Sequence, residues 1–409
     1  MQRTSLNMVL VTIGALAFAQ AILGQFVVQG VPLFLRDAGL PSEQIGLVYL
    51  AGIPFTLPFL WAPLIDRYGS VQFGKFGGWI LGSQLAACAL IALLLPLQPA
   101  QNLILTVALL SLLMVAVGTQ KTAGGGFMIE ALQASEFAKG ASVQAGSAAA
   151  AGLVLGAGVI YVLGDIGWVP VVLAILTVSA AMFFALIPVF RRQRDAWSPG
   201  GRRRFWTQLS IFTRSDTRRL FALSLLVNAA IIVPYSMKAL LLIDAGFSVS
   251  QGGLIGILFA NAAGIVGAFA IRPLIERFGA MRMNALTGLL VASVMAACGL
   301  MSTDTVAPSV AVFMVIFSSA VVFAGFTISR ALLMPRCRGE SKATELASFA
   351  SLEAVCILLI AGLSAALLDT LGITPLLLTG AAISAIGAYW AWCSIAEFDI
   401  PPEPLEANP

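Results

Sequence analysis

The chain has 409 residues, 59% of them hydrophobic and 10% charged, with a mean hydropathy of +0.96 and a formal net charge of +4. A water-soluble core cannot bury that much apolar surface, so a soluble enzyme or binding module is excluded and lipid is the expected solvent. Histidine is absent and the five cysteines stand singly without C-x-x-C spacing, so a zinc site, a disulfide framework and a histidine proton relay are excluded as well.

A bilayer core needs about 20 apolar residues per helix. Twelve apolar runs meet this requirement, at 8–35, 42–64, 74–96, 101–128, 141–163, 167–190, 217–243, 249–273, 281–301, 306–331, 343–368 and 373–396. They predict an all-α integral membrane protein of twelve transmembrane helices. The first run lacks a small-residue cleavage pattern and is read as a mature helix. The organisation expected is a six-helix bundle over 1–190, a linker over 191–216, a second six-helix bundle over 217–398 and a short tail over 399–409.

The basic residues test this count. With the N-terminus in the cytoplasm, 20 of the 23 Lys and Arg fall on the cytoplasmic side, counting Arg272 and Arg330 at helix ends; the exceptions are Arg36, Lys121 and Lys238. That asymmetry is what the positive-inside rule requires, and it places both termini in the cytoplasm. The linker R-R-Q-R-D-A-W-S-P-G-G-R-R-R-F-W, continuing to Arg219, holds nine Arg against two Asp. Flanking two spans, it serves to fix orientation and attract anionic membrane lipids, and it points to no nucleic acid.

Two strings are written twice. P-L-I-D-R-Y-G (Pro63 to Gly69) returns 210 residues later as P-L-I-E-R-F-G (Pro273 to Gly279), and D-A-G-L-P-S-E-Q-I-G-L from Asp37 is echoed at Asp244. Echoes in the same order mark a duplicated half-chain unit. The spacing G-x-x-x-x-G-K from Gly69 to Lys75 imitates a phosphate-binding loop, but Phe76 replaces the required hydroxyl residue and no strand precedes it, which excludes ATP binding.

Ionisable groups inside spans are costly and mark function by default. Lys121 lies ~13 Å up the fourth span from Glu130, in G-T-Q-K-T-A-G-G-G, and Gly118 and Gly125 share its face. The glycines either leave open space beside the ammonium for a bulky anion or only allow close helix contact. Lys238 lies ~9 Å below the outer surface with Tyr235 on its face, and Arg330 follows Phe323 and Phe326 on one face of the tenth span; each is a ligand contact or a helix-end anchor. Gln25 and Gln29, at i and i+4 in the first span, bind ligand or join helices. Glu353 lies ~16 Å from Lys342, near mid-bilayer, and is the candidate for carrying a coupled proton or for a static ion pair.

Six spans, a basic linker, six spans and a repeated acid-Arg-aromatic-Gly loop resemble the major facilitator superfamily over nearly the whole chain. The family loop reads approximately G-x-x-x-D-R-x-G-R-[RK]; Asp66, Arg67, Gly69 and Lys75 match it, with Ala62 in place of the first glycine, and Glu276, Arg277, Gly279 and Arg282 keep the second copy. The resemblance implies a monomeric secondary transporter without cofactor, metal or enzymatic activity. In it the Asp66 and Glu276 loops act as gate latches at helix N-termini, and spans one, four, seven and ten line the cavity.

Within that superfamily, G-T-Q-K is similar to the A-T-Q-D of the muropeptide permeases, keeping Thr119 and Gln120 but placing Lys121 and Gly125 where acids are expected. The string W-A-P-L-I-D-R-Y and the short linker resemble the pyochelin-type siderophore permeases of the bacterial inner membrane. The expectation drawn from them is proton-coupled import of an anionic ferric siderophore. The alternatives are a muropeptide or sugar-peptide permease and a proton-antiport exporter; the fifth span has no proline of the Gly-Pro-rich kind usual in antiporters.

Overall fold

The computed structural model describes residues 5–154, 167–191, 214–302, 306–337 and 341–399, and in it both D-A-G strings are helix terminators. Helix α1 (Leu6–Asp37, with a π turn at Phe26–Gly30) stops at Gly39, φ +81°, where Gly39 N donates to Arg36 O and Leu40 N to Leu35 O, both at 3.0 Å. At Gly246, φ +88°, Gly246 N donates to Ile243 O (2.9 Å) and Phe247 N to Leu242 O (3.0 Å). This double bond around a left-handed glycine satisfies carbonyls that a helix end leaves orphaned. The repeat is therefore a duplicated stop signal.

The second expected span is not one helix. Residues 42–64 fold as α2 (Ser42–Leu50), two 3₁₀ turns (Ile53–Thr56 and Pro58–Leu60) and the start of α3 (Ala62–Arg67). Pro54, Pro58 and Pro63 each lack the N–H a continuous helix would use, so the ladder is broken three times. Next come α4 (Gly74–Leu94), α5 (Leu103–Ala131), α6 (Phe137–Leu153) and α7 (Trp168–Arg191). Most of the linker, the tail beyond 399 and much of the fifth expected span lie outside the described residues.

The seventh span is also broken. Helices α8 (Ser215–Val227) and α9 (Ala229–Ser236) meet at 50° across Asn228, and α10 (Lys238–Asp244) follows a second break at Met237. A break inside lipid is tolerated only where the freed backbone groups find partners. Here the Ser384 hydroxyl accepts from Ala230 N at 3.1 Å. Ser384 lies on α15 (Ile373–Cys393); α11 (Gln251–Phe278), α12 (Ala280–Met301), α13 (Pro308–Leu333) and α14 (Lys342–Leu371) precede it.

Among the described residues nine helices are long and apolar enough to cross a membrane, ten if the bent α8–α9 pair is one span. The chain is a multi-pass membrane protein, and large apolar side chains such as Val11, Ile104, Phe184 and Leu300 stand exposed on its surface, as lipid permits.

The chain forms two compact units. Unit 1 comprises Met1–Leu132, Gly146–Ser210 and Gly339–Val355; unit 2 comprises Gln133–Ala145, Ile211–Arg338 and Cys356–Pro409. In unit 1, Phe26, Val27, Val31 and Leu35 of α1 pack with Ile91, Leu94, Leu110 and Leu113, and Trp168 closes the cluster by donating to Leu94 O at 2.9 Å. In unit 2, small residues set the spacing: a β-carbon on Gly267 of α11 would lie 2.0 Å from the Ala320 carbonyl oxygen of α13. Close backbone approach of this kind is how helices gain dispersion energy where lipid tails offer no hydrophobic driving force.

Candidate functional site

The first copy of the loop motif is docked. Asp66, buried at the end of α3, accepts from Thr344 N (2.7 Å), the Thr344 hydroxyl (2.7 Å) and Ala343 N (3.2 Å), so one carboxylate caps the first turn of α14 within unit 1. Those two N–H groups are orphans of a helix start, and the positive end of the helix dipole favours the charge. Lys75 Nζ stands 3.6 Å from Asp66 and 3.9 Å from Glu130. Burial pushes the Asp66 carboxyl above its usual range, and Lys75, the Thr344 hydroxyl and the two N–H groups offset part of that. Arg67 is exposed and stacks on Tyr68 at 5.3 Å. The left-handed glycine of this copy is Gly74 (φ +76°), not Gly69, because four residues intervene before α4 begins.

The second copy is arranged differently. Glu276 is exposed and accepts from Arg272 Nε at 2.7 Å on its own helix, while Arg277 stacks on Phe278 at 5.1 Å. The cap of the following helix comes from the far end of the chain: Asp399 Oδ1 accepts from Met281 N at 2.9 Å. Gly279 permits this twice over, with φ +92° and with Asp399 Oδ2 2.6 Å from where its β-carbon would stand. Nothing in the local sequence pairs positions 118 residues apart. The acid is docked on another helix in one copy and paired within its own helix in the other.

The broken second span supplies neighbours for Lys121. The 3₁₀ turn at Ile53–Thr56 lays the Phe55 ring under Lys121 Nζ at 4.3 Å, a cation–π contact. Trp61 Nε1 donates to the Thr119 hydroxyl at 2.9 Å, and that hydroxyl donates to Val115 O at 2.8 Å. The Gln120 amide donates to Gln84, whose own amide donates to Ser179 O at 2.9 Å. Thr119 and Gln120 are thus fixed posts that orient α5, with half-buried Lys121 between them and the glycines.

Those glycines are not open space. A β-carbon on Gly118 would meet Pro58 at 3.2 Å and one on Gly125 would meet Leu346 at 2.9 Å; Gly126 faces Phe76 and Ala343. The run allows close contact, which corrects the expectation that it leaves room for a bulky ligand. Gln25 is half-buried and Gln29 exposed, while Gln20, a turn or more deeper in α1, stands 3.8 Å from the β-carbon position of Gly124. Glu353 is half-buried about three turns into α14.

In unit 2, Lys238 Nζ lies over Tyr235 at 4.4 Å and Arg330 over Phe326 at 4.7 Å, with Phe323 half-buried one turn away. Arg330 is 4% exposed, too buried for a helix-end anchor at the headgroups. Beside it Ser329 pairs with Ser224, and Asn228 donates to Ser224 O at 2.8 Å, its side chain fitting where Gly325 has no β-carbon. The α8–α9 break thus gathers a polar group onto α13 that hydropathy does not reveal. No metal-holding cluster of His, Cys, Asp and Glu occurs among the described residues.

No protein-family model matches the chain. It is 26% identical over 355 residues to the anhydromuropeptide permease of Escherichia coli K12, covering 80% of this chain and 69% of that one. It is 32% identical over 160 residues to an uncharacterised protein of Haemophilus influenzae, 39% of this chain and 37% of that one. Among solved structures, the fucose:proton symporter FucP of Escherichia coli superposes with a TM-score of 0.72 at 14% identity, covering 94% of this chain and 98% of the other. The human organic anion transporter MFSD10 gives 0.68 at 13% identity, covering 95% and 100%. The chain has the all-helical major facilitator transporter fold.

Proposed function

We propose that the protein is a secondary active transporter of the bacterial inner membrane that moves an anionic sugar-peptide of the anhydromuropeptide class, coupled to protons. The observation that carries the reading is the likeness to the anhydromuropeptide permease over 80% of the chain, which includes the stretch that presents Lys121. Thr119 and Gln120, shared with the muropeptide pattern, hold the frame, and Lys121 supplies a cation where that pattern has an acid. The substrate contacts proposed are Lys121 with Phe55, and Tyr235, Lys238, Phe323, Phe326 and Arg330 in unit 2. Gln25 and Gln29 are weaker candidates, given the exposure of Gln29. Glu353 is the proposed proton carrier, and Asp66 on α14 the contact that forms and breaks during the cycle.

Ferric-siderophore import, expected from W-A-P-L-I-D-R-Y and the linker length, draws no support from these relatives. The test is uptake into proteoliposomes of a labelled anhydromuropeptide beside a labelled ferric siderophore, with and without an imposed proton gradient. Gradient-driven uptake of the muropeptide, lost in Lys121→Ala and Glu353→Gln, supports the reading. Uptake of the siderophore alone overturns the substrate class.

A further inference from the structure

Beside the docked loop, unit 1 carries a groove of about 510 Å³ between the N-terminal half of α4 and the C-terminal half of α7. That is within the range of about 300–1,000 Å³ typical of small-molecule sites. Its length is apolar, walled by Leu81 and Leu85 on α4 and Phe183 and Ile187 on α7. Gly78 and Gly82, one turn apart, line it; the space beside Gly78 is taken by Ser70, while a β-carbon at Gly82 would meet nothing within 4 Å. At one end the lining changes to Tyr68, Ser70 and Arg191, the last residue of α7, which is exposed.

An apolar trough ending in an aromatic hydroxyl and a guanidinium has the order of groups in a phospholipid, chains first and then a charged head. Arginine is the side chain best matched to a phosphate diester, through paired N–H donors. Arg67, exposed and stacked on Tyr68, adds a second positive charge at the same end. Both arginines lie on the side to which the Lys and Arg distribution assigns the cytoplasm, where anionic lipids attract basic groups. A free phosphate would leave the apolar length of the groove unused.

We propose that this groove is a binding site for an anionic phospholipid of the cytoplasmic leaflet, its phosphate on Arg191 and one acyl chain lying over Gly82. The rim is the loop that follows Asp66: Trp79 donates to Tyr68 O, and a β-carbon at Gly78 would stand 2.6 Å from Ser70 Cβ. An occupying lipid therefore braces the loop that carries Asp66 onto α14.

The test is native mass spectrometry of the purified full-length chain, scoring retained phosphatidylglycerol against phosphatidylcholine of the same acyl composition. The wild type is expected to retain phosphatidylglycerol several-fold better. Arg191→Gln should bring the two near parity and Gly82→Trp should remove one bound lipid, while Arg36→Gln, exposed and outside the groove, keeps the preference. Melting temperature should rise with added phosphatidylglycerol in the wild type and not in Arg191→Gln, which removes no packing and keeps the test valid if Gly82→Trp fails to fold. Equal retention of the two lipids by the wild type, or a preference that survives Arg191→Gln, overturns the proposal; glycerol phosphate competing as well as the whole lipid shows a phosphate site instead and overturns it too.

Discussion

Asp66 and Thr344 stand 278 residues apart in the chain, and the Asp66 carboxylate takes three hydrogen bonds from the start of α14. Asn at position 66 keeps one acceptor but turns an amide N–H towards Ala343 N–H, so Asp66→Asn should loosen the first turn of α14 by about 1–2 kcal/mol. Hydrogen exchange at residues 343–344 checks it: faster exchange in the variant is expected, and unchanged protection would show that the carboxylate is not the cap. At the other end of the chain, Asp399→Ala should cost about 1 kcal/mol by uncapping α12 at Met281, read as a lowered melting temperature. Lys121 makes a different claim. If the ammonium contacts the substrate, Lys121→Ala should weaken uptake, whereas a purely packing lysine would tolerate alanine with uptake intact.

At the scale of elements, what was legible in the sequence is what is local. The long apolar runs and the helix at Lys121 each depend on neighbours within a few residues, and the all-helical fold class follows from them. The breaks in the second and seventh spans were not legible through hydropathy, because S-E-Q-I-G-L-V-Y-L-A-G-I-P-F-T-L-P-F-L and L-S-L-L-V-N-A-A-I-I-V-P are apolar whether or not their ladders are continuous. The three prolines at 54, 58 and 63 were the available signal. Asp399 had none, since its partner lies 118 residues away and the cap depends on tertiary packing. Ser384 gives the breaks an energetic test: Ser384→Ala leaves Ala230 N–H unpaired in the seventh span and should destabilise by about 1–3 kcal/mol, measured by thermal unfolding in detergent. Gly267→Ala should do worse, because its methyl would overlap a backbone oxygen that cannot rotate away.

For the whole molecule, the chain has the all-helical major facilitator fold, and the likeness to the anhydromuropeptide permease motivates the proposed substrate class. The two loop copies differ, Asp66 capping α14 and Glu276 paired with Arg272. The most direct measurement is uptake of a labelled anhydromuropeptide by the wild-type chain in proteoliposomes under an inward proton gradient. The account predicts accumulation above the equilibrium level that collapses when the gradient is dissipated and is absent in Lys121→Ala. Equilibration without accumulation would contradict proton coupling, and no uptake beside transport of another solute would contradict the sugar-peptide assignment itself.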